Sequence, residues 1–154
     1  MTATKIKKSS SLYVRELTTK YKTLNTERIH VSDPGKVANF IREQIGEENR
    51  EHFSVLGINT KNVVVIYHNV SIGTVDQSIV HPREVFTAAL LSGCSGIIVT
   101  HNHPSGIVAP SKQDIEVTRR ISEAGKVMGI PLVDHIIVGF DNPEYYSMKE
   151  NGYL

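Results

Sequence analysis

The sequence predicts an α/β fold, a mixed β-sheet flanked by helices, and three observations predict it. Short β-branched runs alternate with segments whose apolar residues recur every three or four positions. The helical segments open on capping or proline signals and tend to close near glycine. One run, Ser95-Gly96-Ile97-Ile98-Val99-Thr100, is almost wholly apolar and reads as a buried strand. At 154 residues the chain has the length of one domain, and such a domain buries about 70% of its unfolded surface.

The elements follow in order. Residues 1–10 show no periodic pattern and are expected to be disordered, whereas Leu12, Tyr13, Val14, Thr18, Thr19 and Tyr21 suggest an edge strand over 12–24. Ser32-Asp33-Pro34 starts a helix with proline at its first position. Val37, Phe40, Ile41 and Ile45 fall on one of its faces, and Gly46 ends it. Residues 53–58 read as a strand, 59–62 as a turn, 63–67 as the hairpin partner and 71–75 as a third strand. His81-Pro82-Arg83-Glu84 opens a second helix with Val85, Phe86, Ala89 and Leu90 as its apolar stripe and Gly93 beyond its end. A strand over 96–101 follows, then a helix over 112–128 with Ile115, Thr118, Ile121 and Val127 inward. Residues 132–140 form a last central strand, interrupted by Asp134-His135, and the tail from 145 carries one short strand.

Composition narrows the function. The net charge of +1 provides no strong overall field toward nucleic acid or membrane, but its distribution is uneven. Residues 1–30 hold seven Lys/Arg against two Glu, and the remainder ten against fourteen acids. No apolar stretch approaches membrane-spanning length. Lys5, Lys7 and Lys8 are followed by serines where a signal peptide needs an apolar core, so a cytoplasmic protein is expected. Cys94 is the only cysteine. An internal disulfide is therefore impossible, a reducing compartment fits, and Cys94 reads as a small buried hydrophobe.

The chemistry concentrates after the buried strand, in His101-Asn102-His103-Pro104-Ser105-Gly106, four residues, then Ser111-Lys112-Gln113-Asp114. Residues i and i+2 of a strand share a face with Cα atoms roughly 6.5 Å apart, a gap two imidazoles can close over one metal ion. Asn102 points the other way. Pro and Gly turn the chain, and Asp114 returns to the strand end if Ser111 starts a helix. Two imidazoles, one carboxylate and an open fourth position are what a catalytic zinc site requires. Taken alone, Ser111 and Asp114 also fit a capping box with aspartate in the usual glutamate place. A nucleoside deaminase would need His-x-Glu and Pro-Cys-x-x-Cys, which one cysteine excludes.

The string His101 to Gly106 with Pro110-Ser111-x-x-Asp114 resembles the JAB/MPN metalloprotease-like domain and its JAMM motif, and most closely the RadC branch. Glu51-His52-Phe53, Gly73-Thr74, Val80-His81-Pro82-Arg83-Glu84-Val85 and Asp134-His135-Ile136-Ile137-Val138-Gly139 follow the RadC pattern in order, so the resemblance covers about residues 33–154. It implies a cytidine-deaminase-like α-β-α architecture over 31–154, with 1–30 as a basic, partly disordered extension. It implies Zn2+ as cofactor, with His101, His103 and Asp114 as its ligands. Ser111 would hydrogen-bond the oxyanion or the attacking water, and Glu51 would be general base.

The implied function is a zinc-dependent peptidase or isopeptidase. The alternative is a DNA-repair-associated or mobile-element accessory protein whose zinc is structural or vestigial. Longer RadC proteins carry an amino-terminal helix-hairpin-helix-like region, so nucleic-acid contact here would fall to residues 1–30. Ile107 stands where the family often has an acid. From the residues alone Glu47, Glu48, Asp76 and Glu84 compete with Glu51. Asp134 and His135 read either as a pair orienting a ligand or as a structural pair, and Ser105 either as a hydroxyl near the metal or as a turn residue.

Overall fold

The computed structural model describes residues 13–73 and 80–154. Helix α1 spans Pro34–Ile45, β1 His52–Ile58, β2 Val64–Ile72, α2 Pro82–Leu91, β3 Gly96–His103, α3 Lys112–Met128, β4 Leu132–Gly139 and β5 Tyr145–Ser147. The five strands form one sheet in the order β2-β1-β3-β4-β5. The β1/β2, β1/β3 and β4/β5 pairs are antiparallel, and β3/β4 is parallel, with α3 as its crossover. The sheet is therefore mixed, and β3 lies at its centre.

Alternation along β3 assigns its side chains to two cores. Ile97 and Val99 pack with Phe86 of α2 and Ile121 of α3 on one face. Ile98 packs with Val37, Phe40 and Ile41 of α1 on the other. Both faces are covered, giving three layers, and this is why β3 has no polar residue before Thr100 once past Gly96. Caps set the helix starts. Asp33 Oδ1 accepts the Lys36 N–H at 3.1 Å, and α3 ends at Gly129 in the left-handed region, φ 70°. Cys94 is buried and free, and burial pushes its thiol pKa up.

Several expectations are corrected. Residues 13–29 form no strand; only His30 makes an isolated bridge, to Val63. Tyr13, Val14 and Leu17 stay exposed, so burial does not fix a register there. Ser71 and Ile72 belong to β2, which continues through a bulge to pair with Phe53 and His52. Thr74 and Val75, like residues 1–12, lie outside the described residues. Strand β3 runs on to His103, and β4 stops at Gly139.

Leu90 and Val127 face solvent, and Ile115 is only half-buried. The inward stripe of α3 is Asp114, Val117, Thr118, Ile121 and Gly125. Val127 lies six residues past Ile121, well off that stripe at 3.6 residues per turn.

Gly139 permits a close approach that positions the site. It pairs with His103, and a Cβ there would collide with the carbonyl of Gly106 in the turn after β3. Gly139→Ala is expected to lower stability by about 1–3 kcal/mol, read as a fall in the urea midpoint at unchanged slope.

Candidate metal centre

His101 and His103 sit at the carboxyl end of β3, the first fully buried and the second partly so. The Pro104-Ser105-Gly106 turn closes on His103, whose carbonyl accepts N–H groups from Gly106 at 3.0 Å and Phe140 at 3.1 Å. Gly106 has φ 83°, the left-handed region that favours glycine. Ser111 then caps α3 in a full capping box. The Asp114 N–H donates to Ser111 Oγ at 3.1 Å, and the Ser111 N–H donates to Asp114 Oδ2 at 2.7 Å.

Capping does not exhaust the Asp114 carboxylate. Its Oδ1 lies 3.2 Å from His101 Nε2 and its Oδ2 3.4 Å from His103 Nε2, while the two Nε2 atoms are 2.8 Å apart. The capping box is present, and the same carboxylate also faces both histidines. The three side chains form a group able to hold a metal ion, with ligand atoms all within 4.8 Å of one another.

The donor chemistry fits such an ion. His103 Nδ1 lies 2.6 Å from the Ile107 carbonyl. A carbonyl only accepts, so Nδ1 carries a proton and Nε2 is the nitrogen that faces Asp114 and could take an ion. Two nitrogens and a carboxylate are a donor set that could hold a metal ion.

Glu51 precedes β1 directly and is half-buried. Phe53 pairs with His101 across β1/β3, and continuing that antiparallel register brings Glu51 level with His103, on the face of the metal trio. The charge of Glu51 is one of the influences that raise the His103 pKa. Among the rival acids, Glu48 lies 3.7 Å from His52 Nε2, Glu47 and Glu84 are exposed, and Asp76 is outside the described residues.

Asn102 points away from the trio, and the sequence alone does not show its part. Its Oδ1 accepts the His52 N–H at 2.7 Å, and its Nδ2 donates to the Arg50 carbonyl at 3.0 Å. It thereby clamps the chain on both sides of Glu51. A buried amide between two histidines is the sequence signal for such a clamp.

Asp134 and His135 part company. Asp134 accepts from Ser147 Oγ at 2.6 Å, the Lys149 N–H at 3.1 Å and the His135 N–H at 2.7 Å, so it ties the tail to β4. His135, fully buried, lies 2.8 Å from His101 Nδ1. Ser105 is exposed and its Oγ accepts the Ile107 N–H at 3.3 Å, a turn contact. Thr118, read from the sequence as an inward stripe residue, reaches both His135 Nδ1 and the Asp114 carbonyl at 2.6 Å.

Burial would lower the His103 pKa, but hydrogen bonding to Asp114 and Ile107 outweighs it and raises the value. Burial would raise the Asp114 carboxyl, but the two histidines hold it well below the usual carboxylate range. Burial pushes the His135 pKa well down. In the metal-free protein the raised His103 contributes stability below its ordinary value of 6.5 and loses it as pH rises through the folded value. The lowered Asp114 contributes above 3.8 and loses it as pH falls. Thermal melts of metal-free protein should therefore show their largest site contribution between those values. Metal affinity should move oppositely, weakening on acidification from a pH above the ordinary histidine value, because the metal must displace the His103 proton. Chelator competition across the pH range checks this.

A mixed sheet with His-x-His at a central strand end and an aspartate in the first turn of the crossover helix defines a class of α/β domains with a candidate metal centre. Comparison with known proteins narrows the class. The family model described as RadC-like JAB domain matches residues 31–153. A UPF0758 protein of Rubrobacter xylanophilus is 46% identical over 130 residues, covering 84% of this chain and 56% of that protein. One of Staphylococcus haemolyticus is 45% identical over 128 residues, 83% and 55% respectively. One of Clostridium novyi is 40% identical over 149 residues, 96% and 64%. The chain belongs to the RadC-like JAB domain family. It spans little more than half the length of the first two of these curated relatives.

Proposed function

We propose that this domain is a zinc-dependent hydrolase of amide bonds, a peptidase or isopeptidase. The observation that carries the reading is the convergence of His101, His103 and Asp114 beside a glutamate at the β1 start. A bound zinc ion supplies a water of lowered pKa, near ~7, and polarises the scissile carbonyl. The chain supplies the rest. His101 and His103 present Nε2, and Asp114 presents a carboxylate oxygen. Glu51 takes the proton of the attacking water and passes it to the leaving amine. Ser111 accepts the Asp114 N–H, which leaves its hydroxyl proton to donate toward the oxygen on which charge develops. The substrates are peptides or lysine-linked isopeptides. Incubating zinc-loaded protein with fluorogenic peptide and isopeptide libraries tests this. Turnover that stops on chelation and returns with zinc supports it, and no turnover of any amide contradicts it.

A second reading, nucleic-acid contact beside a structural or vestigial zinc, has its own support. Lys20, Lys22, Arg28 and Lys61 line a groove of about 1020 Å³ between residues 19–29 and β2, where Glu27 is the one acid among the described lining residues. Binding to single-stranded DNA that weakens with salt, and is lost in Lys20→Glu/Lys22→Glu, would favour it. Among the described residues no helix is long and apolar enough to cross a membrane.

A further inference from the structure

Resting on the reading of His101, His103 and Asp114 as metal ligands, we propose that Thr118, acting through His135, fixes the tautomer of His101 and so keeps its Nε2 bare toward the metal. His103 needs no such help, because its Nδ1 faces the Ile107 carbonyl, an obligate acceptor, at 2.6 Å. His101 is different. Its Nδ1 faces another imidazole, His135 Nε2, at 2.8 Å, and that ring can hold its proton on either nitrogen. The direction of the His101–His135 bond is therefore open until something beyond His135 closes it.

Thr118 closes it. Its Oγ1 lies 2.6 Å from the Asp114 carbonyl, one turn earlier on α3, and that oxygen only accepts. The single hydroxyl proton sits there. Thr118 Oγ1 must then accept from His135 Nδ1–H, also at 2.6 Å. With its proton on Nδ1, the His135 ring offers Nε2 as the acceptor for His101 Nδ1–H. His101 Nε2, 3.2 Å from Asp114 Oδ1, is consequently the nitrogen left for a metal ion.

The reverse direction fails at both ends. It sets oxygen lone pairs against each other between Thr118 and Asp114, and it places a proton on His101 Nε2 where the metal must bind. Thr118 is 1% exposed and His135 fully buried, so water does not substitute for the hydroxyl. The chain of bonds begins on the backbone of Asp114 and ends beside its carboxylate, so one residue anchors both the direction and the third ligand. Phe53 flanks both rings, stacked on His101 and edge-on to His135, which holds their planes. Thr118 and His135 are positioning residues on this account.

The test compares wild type, Thr118→Val and Thr118→Ser. Zinc affinity is read by chelator competition and the His135 tautomer by imidazole nitrogen NMR. Valine keeps the shape and removes the hydroxyl; serine keeps the hydroxyl. Thr118→Val should lower zinc affinity by about 10- to 100-fold and move the His135 proton off Nδ1, while Thr118→Ser stays close to wild type in both. A loss caused only by packing would appear in serine as much as in valine and leave the tautomer unmoved. Equal zinc affinity in wild type and Thr118→Val, or a wild-type His135 protonated on Nε2, would overturn the proposal. A wild type that binds no zinc at all would overturn the metal reading as well, so the two failures are distinguishable.

Discussion

Glu51→Gln should retain its metal and lose amide hydrolysis by about 10²–10⁴-fold, the usual worth of a positioned general base. That corresponds to about 3–5 kcal/mol of transition-state stabilisation. Glutamine keeps the size and hydrogen-bonding reach of the side chain but cannot take a proton. Glu51 is not one of the three groups that could hold the ion, so binding and chemistry should separate. The loss should fall on kcat and kcat/KM together, as expected for an interaction made in the transition state. Equal turnover in Glu51→Gln would remove Glu51 from the mechanism. Its setting makes the prediction pointed, because Asn102 clamps the chain on either side of it and leaves little freedom for a neighbouring acid to take over.

The second large effect belongs to Asp114, which helps cap α3 and is also one of the three proposed ligands. Asp114→Ala removes the proposed third ligand and the acceptor for the Ser111 N–H. Zinc affinity should fall by more than the ~100-fold that loss of an outer-shell partner costs. The metal-free protein should also lose about 1 kcal/mol through the broken cap. Asp114→Asn separates these effects. Its amide oxygen can still accept from Ser111, so the cap's ~1 kcal/mol is kept, while the charge that acts on the two histidines, and with it metal binding, is lost. If Asp114→Asn bound zinc as well as wild type, the carboxylate would be a cap only.

How much of this was legible in the sequence depends on the distance over which each feature is decided. The His-x-His pair and the returning Asp114 are local, set by the period of a strand, a Pro-Ser-Gly turn and a helix start. Their meeting follows from chain geometry over fourteen residues, from His101 to Asp114. The mixed sheet was legible for the same reason, since apolar runs and helical stripes are local patterns.

The outer partners were not legible, because parallel pairing of β3 with β4 brings His135 to His101, and no short-range pattern states that register. One part could have been read. Neighbours on a strand point to opposite faces, so Asp134 and His135 could not both turn toward the metal, and the structure splits them. Thr118 was hidden inside an apolar stripe, though its place four residues after Asp114 was the available signal. The edge strand expected over 12–24 failed because β propensity without burial does not fix a register, and Tyr13 and Val14 remain exposed.

Metal content of the untagged protein, by mass spectrometry after incubation with zinc and removal of excess, tests whether His101, His103 and Asp114 hold a metal ion. About one zinc per chain, sharply reduced in Asp114→Ala, is the predicted result. A metal-free wild type, or a zinc content unchanged by removing Asp114, would contradict it.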